Sequence, residues 1–306
     1  MSARAEIASA ARVAAVDAAW RQWAALGAPV SGSGVAVSVA DPEALLLLSC
    51  VLRDGERRLD DVLAWWASAG ATLLSVQRVR TMMRQYPAST RNGLAAFAHA
   101  AIAAGDARWK LLAGPSPEDA LFSRGKRARE PRLAVYTALM LRLRAAFGVG
   151  VKADAIAVLI AMGGADATVR SLVRATGYTA AAVRRAVKEM EAARVVRSTA
   201  VRPAAYRVDA GAWSAFLGTD AGELGGWRYF ADLFAFLAAV IAWGEAEGDD
   251  GYVSASAARD IFEAHRLAFE LSRIPFPKPE DALGARYLDA FAVTVHGLAD
   301  WLATNL

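Results

Sequence analysis

Alanine content is the feature that most constrains the fold, because 72 of the 306 residues are alanine. An alanine side chain loses no rotamer entropy in a helix, so the residue favours helix wherever glycine or proline does not intervene. Hydrophobic residues make up 56% of the chain and charged residues 22%, which is typical of a globular protein. We therefore predict a mainly α, multi-domain helical protein with a buried core.

The apolar segments are too short for a membrane protein. The longest uninterrupted apolar run, residues 233–243, falls well short of the roughly 20 residues that span a bilayer. Residues 1–27 include Glu6 and Asp17 and lack the pattern of a signal peptide. The single cysteine, Cys50, lies among leucines, which indicates a buried, inert thiol in a reducing compartment. We expect a cytoplasmic protein that contacts no membrane.

Charge is distributed unevenly along the chain. Residues 1–149 carry 19 Lys and Arg against 12 Asp and Glu, a net charge of +7. Residues 150–215 carry 10 against 5, a net of +5, whereas residues 216–306 carry 6 against 14, a net of −8. This asymmetry is expected of a protein that binds a polyanion on one side. Opposite charges that face each other between domains or subunits would produce the same distribution.

Segments rich in glycine, serine, proline or charge divide the chain into five predicted parts. Residues 1–34 form a helix and a Gly/Ser connector, and residues 35–122 form a helical domain. Residues 123–150 contain a basic loop, which is either a solvated linker or an arm that contacts phosphates, and a connecting helix. Residues 151–215 form a unit with its own pattern, and residues 216–306 form an acidic helical domain.

Local signals place several helix boundaries. Asp41 precedes Pro42 and Glu43, an order that combines an N-cap residue, a proline at the first helical position and a first-turn acid. Residues 131–147 and 227–243 are predicted as uninterrupted helices.

A cluster of three short helices within residues 41–84 has the order of a helix-turn-helix, in which residues 75–83 would be the second helix of the motif. This cluster is either a DNA-binding unit or ordinary helix packing. Its candidate reading face contains Gln77, Arg78, Arg80 and Arg84.

Residues 151–209 carry the most informative pattern. A helix over residues 152–162 is followed by a short helix over 168–175 and then by the turn Thr176-Gly177-Tyr178. Glycine in such a turn can take the positive φ that folds one helix sharply against the next. Thr179 is an N-cap candidate for a third helix.

The third helix is amphipathic, and the periodicity after it changes to that of strands. Its buried stripe is predicted to contain Val183, Ala186, Val187 and Met190, opposite a basic face with Arg184, Arg185 and Lys188. Residues 195–199 and 204–208 then read as two strands of a hairpin that carries arginines.

Three helices, a glycine turn and a basic hairpin in this order resemble the winged helix-turn-helix domain of bacterial transcriptional regulators. The resemblance covers about a fifth of the chain and implies that residues 179–194 enter the major groove while hairpin 195–208 forms the wing. The hairpin departs from the family by having no glycine at its tip. The DNA-binding residues that the resemblance implies are Arg170, Arg174, Tyr178, Thr179, Arg184, Arg185, Lys188, Arg197 and Arg202.

Winged helices also dock proteins, so a non-catalytic adaptor in a larger assembly is the alternative. The exposed side of the third helix is arginine and lysine over alanine, which favours DNA over an apolar docking partner. We therefore expect a sequence-specific regulator that binds double-stranded DNA, a homodimeric repressor with an unidentified effector.

Catalytic and metal-binding patterns are absent from the sequence. His99, His265 and His296 are widely spaced, and none has a second ligand at metal-binding spacing. We expect no enzymatic activity, no metal and no cofactor. The acidic C-terminal part is predicted to serve in dimerisation or sensing, with residues 273–277 as a candidate apolar contact.

Overall fold

The computed structural model describes residues 2–29, 36–115, 129–200, 202–219, 226–246, 251–277 and 284–306. Within these ranges the chain is mainly helical, which confirms the prediction from alanine content. None of the described helices is both long and apolar enough to cross a membrane.

The described residues form fourteen α-helices and three short strands. The helices before the sheet are α1 (Ala3–Ala25), α2 (Pro42–Leu52), α3 (Arg58–Ala69), α4 (Val76–Met82), α5 (Thr90–Ala103), α6 (Lys110–Ala113), α7 (Leu139–Phe147) and α8 (Val151–Ala161). The following elements are β1 (Ala167–Thr168), α9 (Val169–Thr176), α10 (Ala180–Ala192), β2 (Arg197–Ser198), β3 (Ala205–Arg207), α11 (Ala210–Leu217), α12 (Phe230–Glu245), α13 (Tyr252–Ser272) and α14 (Tyr287–Asn305).

The larger hydrophobic core is built from both ends of the chain. Helices α1 to α5 share it with α12, α13 and α14, and α1 packs directly on α12 and α14. Gly244 of α12 faces Ala8 of α1 so closely that a side chain at 244 would collide with it. The regions predicted as separate domains at 1–34, 35–122 and 216–306 therefore contribute to one core, which we call the helical body.

The smaller core contains α8, the sheet and the helices around it. It includes apolar side chains of α7 to α10 together with Val196, Tyr206 and Leu217. Strand β3 is central in the order β1-β3-β2, and both pairings are antiparallel, with Tyr206 opposite Ala167 on one side and Ser198 on the other. Strand β1 is absent from the sequence prediction because two residues are too few to show alternation.

Several local predictions within this unit are confirmed. Gly177 lies in the left-handed region at φ +71° and ends α9. Thr179 is the N-cap of α10, and its hydroxyl accepts a hydrogen bond from the Ala182 N–H at 3.2 Å. The start predicted at Asp41 is also confirmed, since the Asp41 carboxylate accepts from the Ala44 N–H at 3.1 Å.

Two predicted helices begin later than expected, because their first residues bond to distant backbone groups. The helix predicted from 131 starts at Leu139, and the Arg132 N–H donates to the Leu26 carbonyl at 2.9 Å. The helix predicted from 227 starts at Phe230, and the Trp227 N–H donates to the Ala161 carbonyl at 3.0 Å. The basic loop at 123–130 lies outside the described residues except for its last two.

Candidate nucleic-acid interface

Helix α10 presents one buried and one charged face. Its buried side chains are Val183, Ala186, Val187 and Met190, the predicted stripe, and they pack into the smaller core. Arg184, Arg185 and Lys188 are exposed on the opposite face, one helical turn or less apart. The sequence prediction of an amphipathic helix with a basic outer face is confirmed.

The charges on the basic face form no ion pair with the described neighbours. No ion pair joins Arg184, Arg185 or Lys188 to an acidic residue in the part of the chain that the structure describes. The acid beside them, Glu189, instead accepts a hydrogen bond from the Lys152 ammonium of α8 at 2.7 Å. The hydrogen bond from Lys152 is the main cause of the lowered pKa of Glu189, and the Arg185 charge lowers that pKa to a smaller extent. The outer face of α10 is therefore a cationic surface available to an anion.

The hairpin adds further exposed arginines. Arg197 of β2 is 71% exposed and lies 3.8 Å from the Asp209 carboxylate, a loose contact. Arg202 is also exposed. The Glu191 carboxylate of α10 accepts a hydrogen bond from the Ser198 hydroxyl, which fixes the start of the hairpin to the end of α10.

Arg207 belongs to this surface but is missing from the predicted set. The strand register places it directly opposite Arg197, so the two exposed arginines share one face of the hairpin. Like charges in directly opposed positions destabilise a sheet unless an anion lies between or beside them. Arg207 was not identifiable from the sequence because the register depends on the shape of the turn.

Arg174, a predicted phosphate contact, faces the helical body instead. Its guanidinium bonds the Asp232 carboxylate of α12 at 2.9 Å and lies over the Tyr229 ring at 5.9 Å from its centroid. The side chain is 27% exposed. Its role in the structure is to join α9 to α12. Arg170, on the same helix, is exposed as predicted.

Tyr178 is also turned inward. Its hydroxyl donates to the Asp154 carboxylate of α8 at 3.1 Å and lies 3.4 Å from the Ser75 hydroxyl, the N-cap of α4. Burial, reinforced by the negative charge of Asp154, raises the pKa of Tyr178 to about 12. The Thr179 side chain is exposed, and its hydroxyl, which accepts a hydrogen bond from its own helix, still has its O–H to donate. Thr179 therefore stays a candidate contact, whereas Tyr178 is turned away from the surface.

The predicted reading face at residues 75–83 needs a correction at Arg78, which is 1% exposed. Its guanidinium donates to the Asp41 carboxylate at 2.7 Å, to the Glu43 carboxylate, and to the Thr176 carbonyl at 2.6 Å. A side chain with these partners cannot reach DNA. Gln77, Arg80 and Arg84 are exposed as predicted.

Arg144 of α7 extends this buried network. Its guanidinium bonds the Asp154 carboxylate at 2.6 and 2.8 Å and the Glu43 carboxylate at 2.5 and 3.1 Å. It also donates to the Leu73 carbonyl at 3.0 Å. We call Asp41, Glu43, Arg78, Arg144 and Asp154 the buried ion network; all five side chains belong to residues that are at most 1% exposed.

Helix ends balance the charge of the buried ion network. Two guanidinium groups meet three carboxylates, a net charge of −1 when all are ionised. Asp41 and Glu43 lie at the N-terminus of α2 and Asp154 in the first turn of α8, where helix dipoles stabilise negative charge. Burial opposes ionisation of Glu43, but the Arg144 and Arg78 charges outweigh it and lower the pKa of Glu43.

The buried ion network joins the helical body to the unit that carries α10. Asp41, Glu43 and Arg78 belong to helices of the helical body, whereas Asp154 and the Thr176 carbonyl belong to α8 and α9. The turn before α10 is therefore held from both sides by charged hydrogen bonds, and the orientation of α10 is fixed relative to the helical body.

Two side chains that could take part in other chemistry, His265 and Cys50, are buried. The described residues contain no group of three or more His, Cys, Asp and Glu that could hold a metal ion. His265 packs its ring against Phe236, and burial lowers its pKa. Cys50 is buried, as predicted, and burial raises the pKa of its thiol to about 12.

No protein-family model matches this chain, and neither a curated protein nor a solved structure shows significant similarity to it.

Proposed function

We propose that residues 151–215 form a winged helix-turn-helix that binds double-stranded DNA, with α10 in the major groove and the β2–β3 hairpin as the wing. Support comes from the element order of helix, strand, two helices and two strands, and from the sheet order β1-β3-β2. The left-handed Gly177 between α9 and α10 is typical of the turn in this motif.

The observation that carries the proposal is the unpaired cationic face of α10. Burying a lysine or arginine in an interface requires an anionic partner, and DNA phosphates supply one. The spacing of Arg184, Arg185 and Lys188 along α10 also suits the edge of the major groove and its phosphates. Arg197, Arg202 and Arg207 add positive charge on the hairpin. Arg170 and Thr179 are the remaining exposed candidates. Arg174 and Tyr178 act from inside by fixing the motif to the helical body.

Transcriptional repression in the cytoplasm is the regulatory outcome that we propose. Repression by steric blocking of a promoter needs only sequence-specific occupancy of DNA. Two-fold dimers are the usual arrangement of helix-turn-helix proteins, because two reading helices then meet two half-sites about one helical turn apart.

The salt dependence of DNA binding tests this proposal. If the six arginines and lysines of α10 and the hairpin each neutralise one phosphate, log K against log salt concentration should have a slope near −5. Fluorescence anisotropy with a labelled mixed-sequence duplex of about 30 base pairs measures the slope. Selection from a random duplex pool then tests sequence specificity.

A pair of double variants locates the interface. Arg184→Ala with Arg185→Ala should weaken binding and reduce the magnitude of the slope by about 2, since two phosphate contacts are lost. The matched control is Arg80→Ala with Arg84→Ala, which removes two exposed arginines from α4 and the turn that follows it and should change neither value. Equal losses in both variants would mean that binding follows net charge or also uses the face with Arg80 and Arg84, and does not depend on the α10 face alone.

The alternative function is that of a non-catalytic adaptor whose winged helix docks a protein. Its specific support is the exposure of Phe147 and Phe216 beside the sheet-containing unit, at 54% and 65%. A folded protein that fails to bind any duplex at low salt would favour the adaptor.

A further inference from the structure

A groove runs between α1 and α14 on the surface of the helical body. Its volume is about 560 Å³, within the range of small-molecule sites. Half-buried alanines line it, Ala10 and Ala14 from α1 and Ala299 from α14, and the Val13 side chain, which is 68% exposed, lies beside them. His296 of α14 adds an imidazole ring. We call this mostly apolar depression the α1–α14 groove.

The aspartates and glutamates around the α1–α14 groove have no basic counterpart in it. Glu6 and Asp17 of α1 and Asp300 of α14 are exposed, and none of the described residues that line the groove is lysine or arginine. The Glu6 and Asp300 carboxylates form no ion pair within the described part of the chain. The Asp17 carboxylate lies 3.7 Å from Arg21, a long contact, and Arg21 donates to the Ala303 carbonyl at 2.9 Å. The walls of the groove therefore leave a local negative charge unbalanced.

We propose that the α1–α14 groove binds an elongated amphipathic cation, a molecule with an alkyl body and an amine at each end. The alkyl body covers Val13 and the alanines and removes their apolar surface from water. The amines meet the carboxylates of Glu6, Asp17 and Asp300. An anion is repelled by these groups, and a neutral apolar ligand would desolvate them without giving them a partner. This site is independent of the proposed DNA binding.

The dimensions of the α1–α14 groove favour a slim ligand over a docked helix. Asp17 lies eleven residues after Glu6, about 16 Å along the axis of α1. A volume of 560 Å³ over this length leaves a cross-section of about 35 Å². A helix with its side chains is about 10 Å across, a cross-section of about 80 Å², and is too wide. An extended alkyl chain enters, and the amines of dodecane-1,12-diamine have about the separation of Glu6 and Asp17.

The apolar contact predicted from sequence at residues 273–277 is not a comparable surface. Ile274 is 2% exposed, and the Phe276 ring packs on Phe262 with centroids 5.0 Å apart. These apolar side chains already pack against the helical body and are not presented to a ligand.

Methyl NMR of the full chain with labelled valine tests binding of dodecane-1,12-diamine. The Val13 methyl signals, assigned through Val13→Ile, should shift on titration, with a dissociation constant on the order of 0.1–1 mM for a ligand of this size. Val253 of α13, which is 81% exposed and lies outside the groove, is the internal control and should not shift. Hexane-1,6-diamine is too short to bridge Glu6 and Asp17 and should bind at least about five times more weakly. Dodecanedioic acid should not bind.

Charge-neutralising variants locate the contact. Glu6→Gln with Asp300→Asn should weaken binding of dodecane-1,12-diamine about ten-fold, since each exposed charge pair contributes a factor of about three. The matched control is Asp166→Asn with Asp260→Asn, which removes two exposed carboxylates elsewhere and should bind the diamine as the wild type does. Both double variants change the net charge equally, so a difference between them reflects the groove.

Absence of a Val13 shift at concentrations of dodecane-1,12-diamine well above the expected dissociation constant overturns the proposal. Equal binding of hexane-1,6-diamine, or an affinity unchanged in Glu6→Gln with Asp300→Asn, overturns it as well, because the amines would then be binding acidic residues in general. A Val13 shift caused by a lysine- and leucine-rich helical peptide but by neither diamine also overturns it and assigns the groove to a protein partner. None of these results bears on DNA binding, which the variants of α10 test separately.

Discussion

Replacing Arg78 by methionine should destabilise the protein by about 3–5 kcal/mol, the usual cost of removing one partner from a buried ion pair. Methionine preserves much of the side-chain volume but donates no hydrogen bond. The change removes the bonds to Asp41, Glu43 and the Thr176 carbonyl, and it shifts the net charge of the buried ion network from −1 to −2.

Urea denaturation followed by circular dichroism measures this loss, as a fall in the free energy of unfolding. Arg80→Met is the matched control, since Arg80 is exposed on the same helix and should change stability by less than about 0.5 kcal/mol. Arg78→Lys should fall between the two, because it restores the charge but not the planar set of donors. A loss below about 1 kcal/mol for Arg78→Met would refute the view that Arg78 compensates two buried carboxylates.

Three further outcomes follow from the buried groups. The pKa of Glu43 is lowered, so its contribution to stability is present above its ordinary pKa of 4.5 and should be lost as the pH falls below that value, measured as a lower urea midpoint. The pKa of Tyr178 is raised to about 12, so its contribution holds up to its ordinary pKa of 10 and should disappear as the pH rises toward 12. The ultraviolet titration of wild type minus Tyr178→Phe should show this late ionisation, and a midpoint near 10 would contradict it. The Cys50 thiol should not react with a thiol reagent until the protein is unfolded, because burial raises its pKa to about 12.

Short-range patterns predicted much of the local structure. Asp41 and Thr179 cap the helices that the sequence places after them, since a cap depends on residues only three positions apart. The exposed positions of Arg184, Arg185 and Lys188 follow from helical periodicity alone. The starts predicted at 131 and 227 were wrong because distant carbonyls take the N–H groups of Arg132 and Trp227.

Long-range partners explain the predictions that the structure changes. Arg78 and the Thr176 carbonyl are 98 residues apart, and Arg174 is paired with Asp232 on a different core. A charged residue on a short helix is normally exposed, so the sequence pattern cannot distinguish a free arginine from one whose carboxylate lies far along the chain. The phosphate contact predicted for Tyr178 was wrong for the same reason, because its hydroxyl is taken up by Asp154 and Ser75 of other helices.

The buried ion network has a consequence for how this protein can be divided. Cutting the chain to residues 151–215 would remove Arg144 and leave the Asp154 carboxylate without its cation. That carboxylate accepts the hydrogen bond from Tyr178, which lies in the turn directly before α10. The excised fragment would carry every proposed DNA contact yet lose the anchor that orients them. The smallest transferable unit that keeps the proposed DNA-binding surface therefore extends beyond residues 151–215, and a fusion or domain swap must carry α2, α4 and α7 along with the motif.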